Sequence, residues 1–115
     1  MHITVTFRHF ESTDEIKKHV EEKLEKAKKY LTDPIEAHVI LSVEKFRTQC
    51  EITLSSPHFH ATAISTTDED LYSAIDVSVH KLEKQLRKHK EIVTEHKQHL
   101  SKKEVFAVLN APVAQ

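Results

Sequence analysis

Four stretches of the chain alternate apolar and polar residues, and each has only one apolar face. In His2 to Phe7, Ile3, Val5 and Phe7 point one way while His2, Thr4 and Thr6 point the other, the period of a half-buried strand. From Glu36 to Val43, Val39, Leu41 and Val43 oppose Ile40 and Ser42. Cys50, Ile52 and Leu54 repeat the pattern after a turn near Lys45 to Thr48, and Phe59, Ala61 and Ala63 repeat it after Ser55, Ser56 and Pro57. Strands of this kind form a sheet that is buried on one side only. Short connections between the last three predict an antiparallel meander.

Two amphipathic helices supply the cover. Ser12 and Glu15 have the spacing of a capping box, and Ile16, Val20, Leu24, Ala27 and Leu31 then recur at helical spacing before Asp33 and Pro34 end the run. Thr66 and Glu69 have the same capping spacing ahead of a longer stripe, Leu71, Ile75, Val79, Leu82, Leu86 and Val93. The order is β-α-β-β-β-α, which predicts an α/β (α+β) two-layer sandwich: a four-stranded sheet with two helices packed on one face. At 115 residues the chain is long enough for one core. Residues 1–97 are read as that domain and 98–115 as a flexible C-terminal tail, with Val105 to Leu109 its most strand-like segment.

Composition removes several classes of function. The chain has no glycine, and therefore no glycine loop to cradle the phosphates of a nucleotide. Its one cysteine, Cys50, rules out an internal disulfide and a cysteine-rich zinc site, and falls on the apolar side of its strand, where an inert buried thiol is expected. No apolar run approaches the roughly 18 residues of a membrane span, and no signal pattern opens the chain, so a soluble cytoplasmic protein is expected. No nucleophile is paired with a base; no catalytic role, cofactor or metal is assigned. Ten histidines raise the metal question, but His58 with His60 and His96 with His99 are pairs without an evident third ligand, and His2 and His38 fall on polar strand faces.

Net charge is −1 with histidines neutral, so attraction to a polyanion requires segregated charge. The second helix has it. Asp68, Glu69, Asp70 and Asp76 crowd its start, and Lys81, Lys84, Arg87, Lys88 and Lys90 follow with only Glu83 between them. Acids at a helix start and bases at its end complement the macrodipole, which accounts for Asp70. That effect fades within the last turn, whereas Lys81, Lys84 and Lys88 span about two turns of one face, away from the Leu82 and Leu86 stripe. Lys23 and Lys26 stand beside the stripe of the first helix, interleaved with Glu21, Glu22 and Glu25. Lysines about 5 to 6 Å apart can track successive phosphates of folded RNA. A module that docks a protein through its helices or apolar tail, and a general double-stranded-RNA-binding domain, fit the same residues.

VEK at 43–45, DLYSAID at 70–76 and KLEKQLRKHK at 81–90, set in the β-α-β-β-β-α order, resemble the ribosome hibernation-promoting factor family, which includes the ribosome-associated inhibitor. The resemblance covers roughly residues 2 to 97. It implies a double-stranded-RNA-binding-like fold on the small ribosomal subunit, contacting ribosomal RNA with basic helix faces at the A and P sites and the mRNA path. Translation would then be blocked in stress or stationary phase. By position, Lys23, Lys26, Lys81, Lys84, Lys88 and Lys90 match basic positions of the family, and Arg87 joins them on charge alone. Asp70, Tyr72, Ala74, Ile75 and Asp76 match its signature and are read as framing the second helix. Ending at Gln115, the chain resembles the short form, which works with a separate ribosome modulation factor to pair ribosomes and is expected to be a monomer when free. Inhibitor-type members have acid-rich tails, whereas no acid follows Glu104 here. His80 and His89 beside the basic block lead to the expectation that mild acid strengthens binding.

Overall fold

Strand alternation sets the sheet in this computed structural model, which describes residues 1–99, with side chains described through residue 92. The elements are β1 (His2–Arg8), α1 (Asp14–Leu24), a 3-10 helix (Glu25–Tyr30), β2 (Glu36–Glu44), β3 (Arg47–Ser56), β4 (Phe59–Thr67) and α2 (Leu71–His99). Spatial order follows sequence order, β1-β2-β3-β4. β1 runs parallel to β2, with Val5 opposite Val39, and β2, β3 and β4 form the antiparallel meander, with Leu41 opposite Cys50 and Ile52 opposite Ala63. The parallel pair follows from α1, which crosses over between β1 and β2 and returns the chain to the same end of the sheet.

One side of the sheet carries the core. Ala37, Val39, Leu41, Cys50, Ile52 and Leu54 are fully buried, and α1 and α2 close over them with Val20, Leu24, Ile75, Leu82 and Leu86. Val93, expected in the same stripe, lies outside the described side chains, as do His96 and His99; the tail from residue 100 onward lies outside the described residues. Two small residues bring α2 close to the sheet, Ala74 and Ser78, both 0% exposed. Ser78 is polar, so its burial requires partners. Its hydroxyl reaches the Cys50 carbonyl at 3.0 Å and the Ser65 hydroxyl at 2.8 Å, and Ser65 in turn donates to the Ala74 carbonyl at 2.7 Å. Cys50 lies beneath this network, and burial pushes its thiol up to about 11, the state of an unreactive core group.

Both helix starts differ from the sequence expectation. The cap of α1 is Thr13, whose Oγ1 accepts the Ile16 amide at 3.2 Å, and not Ser12. Starting there places Asp14 and Glu15 in the first turn, where both complement the dipole. The cap of α2 is Asp70, which accepts the Ser73 amide at 2.9 Å. Thr66 is committed to β4 opposite Gln49, and Thr67 accepts the Glu69 amide at 3.0 Å as the chain turns away from the sheet. The first helix also tightens after Leu24. Ala27 and Tyr30 follow at intervals of three, the repeat of a 3-10 helix, which keeps Ala27 buried and Tyr30 half-buried. His58 sits in the β3–β4 turn and not on the strand with His60. Among the described residues no three His, Cys, Asp or Glu side chains group as metal ligands.

Candidate nucleic-acid interface

The docking of α2 sorts its basic residues onto two flanks. Lys81 is tied to the outer edge of the sheet: its Nζ donates to the Ile64 carbonyl of β4 at 2.7 Å, and Gln85 reaches the Thr62 carbonyl at 3.5 Å. Lys84 and Lys88, three and seven residues on from Lys81, fall on that same flank and are exposed. This face therefore borders the buried stripe on the β4 side, where Lys81 blunts a sheet edge.

The other flank faces α1. There His19 Nε2 lies 2.8 Å from Asp76 Oδ1, Lys23 Nζ approaches the same oxygen at 3.9 Å, and the Tyr72 ring meets the His19 ring edge-on at 4.8 Å. Further along the seam, Tyr30 stands between two cations, with Lys29 Nζ at 5.1 Å and Lys90 Nζ at 5.7 Å from its ring centre. These ion pairs are half exposed and contribute little to stability. Their effect is positional: Asp76 holds Lys23, and Tyr30 holds Lys29 and Lys90. Arg87, three residues before Lys90, is exposed on the outward side of this flank.

Of the acids that interleave with lysines in the first helix, Glu22 lies four residues before Lys26 and shares its face, whereas Glu21 and Glu25 turn away from Lys23. Glu21 and Glu25 are each two residues from Lys23, hence about 200° around the helix from it. Glu25 is also engaged by Lys28 at 3.0 Å. Lys26, three residues after Lys23, stays on the seam side and is exposed. Six of the seven residues expected to bind RNA thus surround the outer surface of α2 and its seam with α1, and the seventh, Lys81, is occupied by the sheet edge. Lys29 was missed because in a regular helix it falls off the Lys23 and Lys26 face; the 3-10 turn brings it back.

His89 does not serve as the pH-sensitive cation expected of it. Its ring packs against Phe59 at 5.0 Å, and burial first, then the charge of His58, lowers its pKa below the usual imidazole value. At neutral pH it is a neutral part of the packing beneath the basic surface.

Comparison with known proteins agrees with this geometry. The family model described as Sigma 54 modulation protein / S30EA ribosomal protein matches residues 3–94. A ribosome hibernation promoting factor from Pseudomonas putida is 35% identical over 91 residues, 79% of this chain and 88% of that protein. The Escherichia coli K12 protein of the same name is 32% identical over 98 residues, 84% of this chain and 100% of its own. Among solved structures, the N-terminal domain of Protein Y from Thermus thermophilus superposes with a TM-score of 0.70 at 31% identity, covering 77% of this chain and 99% of that one. A ribosomal subunit interface protein from Coxiella burnetii gives 0.67 at 27% identity, covering 79% and 99%. Among the described residues no helix is long and apolar enough to cross a membrane.

Proposed function

The chain belongs to the Sigma 54 modulation protein / S30EA ribosomal protein family, and from that premise we propose that it is a non-enzymatic, cytoplasmic ribosome hibernation factor. It binds the small subunit at the decoding region, fills the A and P sites and the mRNA path, and blocks translation while preserving or promoting the pairing of inactive ribosomes. The observation that carries this reading is the segregation of exposed cations around α2 and its seam with α1 in a chain of net charge −1. Lys84, Arg87 and Lys88 take phosphates on the outer side, and Lys23, Lys26 and Lys90 take them along the seam. The name of the Coxiella relative, a ribosomal subunit interface protein, supports a ribosomal partner.

Lysine contacts to phosphates carry almost no sequence information, so shape selects the site: a rigid two-helix surface backed by a sheet. Residues 1–97 form the binding domain. A separate ribosome modulation factor is the partner in ribosome pairing, and the free protein is a monomer. With about six phosphates engaged, affinity for small subunits falls on the order of a thousandfold between 50 and 200 mM salt. Equilibrium binding to purified small subunits across that range tests the reading, and a flat response contradicts it. Equal affinity for plain duplex RNA would instead identify a general duplex binder.

A further inference from the structure

Phe46 is 88% exposed, whereas the next most exposed large apolar side chains among the described residues, Ile64 and Val77, are each 46% exposed. It occupies the second position of the two-residue turn between β2 and β3, where Glu44 pairs with Arg47 across the hairpin. Cations stand on both sides of it in sequence, Lys45 and Arg47, and parallel pairing brings the Arg8 end of β1 alongside, opposite Ser42. An open notch of about 560 Å³ lies here, lined by His9, Val43, Glu44, Lys45, Phe46 and Arg47. Two non-glycine residues with positive φ among the described residues, His9 at 68° and Lys45 at 32°, border it. Such backbone is disfavoured for residues with a Cβ, and the hairpin keeps it at Lys45, directly before the exposed ring.

A single exposed aromatic ring between cations has the chemistry of a stacking platform: the ring takes the face of a base, and the cations take the phosphates on either side. A protein pocket would call for an apolar rim around the ring. Here Val43 is the one apolar neighbour in the notch, beside Lys45 and Arg47 against Glu44, and His9 Nε2 already lies 3.6 Å from the Glu44 carboxylate. We propose that Phe46 stacks on one unpaired base of ribosomal RNA, with Lys45 and Arg47 on the adjoining phosphates. This rests on the ribosome-binding reading and adds a second, non-electrostatic contact to it. The hairpin end lies beside the start of α2, because Thr48 pairs with Thr67 and the helix opens at Leu71. Lys84 is thirteen residues further along, roughly 20 Å of helix rise. The two contacts therefore engage separate stretches of RNA, and their losses multiply.

The test is binding of the full chain to purified small subunits at one salt concentration, with F46A, F46L and F46W compared to wild type and to a Lys84→Glu/Lys88→Glu control. Stacking predicts that F46A and F46L bind about 5- to 100-fold more weakly, that F46W binds at least as well as wild type, and that the salt slope of F46A is unchanged. The natural chain has no tryptophan, so F46W is also a lone reporter, and its fluorescence is quenched on binding if the ring stacks. Wild-type affinity in F46A, together with loss in the lysine control, overturns the stacking role and leaves the ribosome reading standing. Wild-type affinity in F46L with weakening in F46A overturns it in favour of an apolar protein pocket. Failure of the wild type itself to bind small subunits removes the ribosome reading and the stacking role together.

Discussion

Removing the Ser78 hydroxyl should loosen the joint between α2 and the sheet by one hydrogen bond, with or without Ser65. Three buried contacts of 2.7, 2.8 and 3.0 Å are shared by two hydroxyls, which have one proton each. At any moment only two of the three contacts hold a proton. In Ser78→Ala, the Ser65 proton goes to the Ala74 carbonyl and no donor is left idle, so the loss is one hydrogen bond, about 1 kcal/mol. Ser65→Ala has the mirror outcome, with the Ser78 proton on the Cys50 carbonyl, and again costs about 1 kcal/mol. With both hydroxyls removed, both protons and both hydrogen bonds are gone, so the double variant costs about 2 kcal/mol, the sum of the single changes. Urea unfolding of the four proteins reads these free energies directly, and in thermal melts each single change should lower Tm by about 4 to 8 °C for a domain of this size. A double variant that differs from the sum by more than about 0.5 kcal/mol, or single changes within about 0.3 kcal/mol of wild type, would refute this sharing of two protons among three contacts.

Two further predictions concern the helix ends and pH. Thr13→Ala and Asp70→Ala should each cost about 1 kcal/mol, whereas Ser12→Ala and Thr66→Ala should not show a capping loss; thermal melts of the four variants distinguish them. His89 should titrate below the ordinary imidazole range in an NMR pH series. Because its folded pKa is lowered, the unfolded chain takes up a proton first as pH falls, so its packing contributes stability above the unfolded value of about 6.5 that is lost on descent through the folded value. His89→Phe should flatten that part of the stability profile.

The fold was legible where one periodicity had one reading. Each strand had a single apolar face, and those faces, from Val39 and Leu41 through Cys50, Ile52 and Leu54 to Ala61 and Ala63, are the ones buried. Helix caps were less legible because several cap-capable residues adjoin: Ser12, Thr13 and Asp14 at one start, Thr66 to Asp70 at the other. Sheet pairing decides among them, by claiming Thr66 and Thr67 for β4. The 3-10 segment was hidden because the step from Leu24 to Ala27 fits both helical repeats. Ser78 interrupts no pattern in the sequence; it falls between Ile75 and Val79, and only the depth of the helix against β3 shows that its hydroxyl is needed. The basic positions were legible as a block, but their two flanks were not, since a sequence gives angles around a helix without saying which side a neighbour occupies. Lys81 shows the difference: its ammonium donates to the Ile64 carbonyl at the sheet edge, a contact that angles around a helix do not give.

The central claim is that the cationic surface of α2 holds the chain on the small ribosomal subunit. Co-sedimentation with purified ribosomes on sucrose gradients, comparing wild type with Lys84→Glu/Lys88→Glu at low and moderate salt, tests it most directly. Wild-type protein should travel with small subunits and intact ribosomes at low salt and dissociate as salt rises, and the charge-reversed protein should stay at the top of both gradients while retaining its fold. A charge-reversed protein that travels with ribosomes as the wild type does would contradict the account.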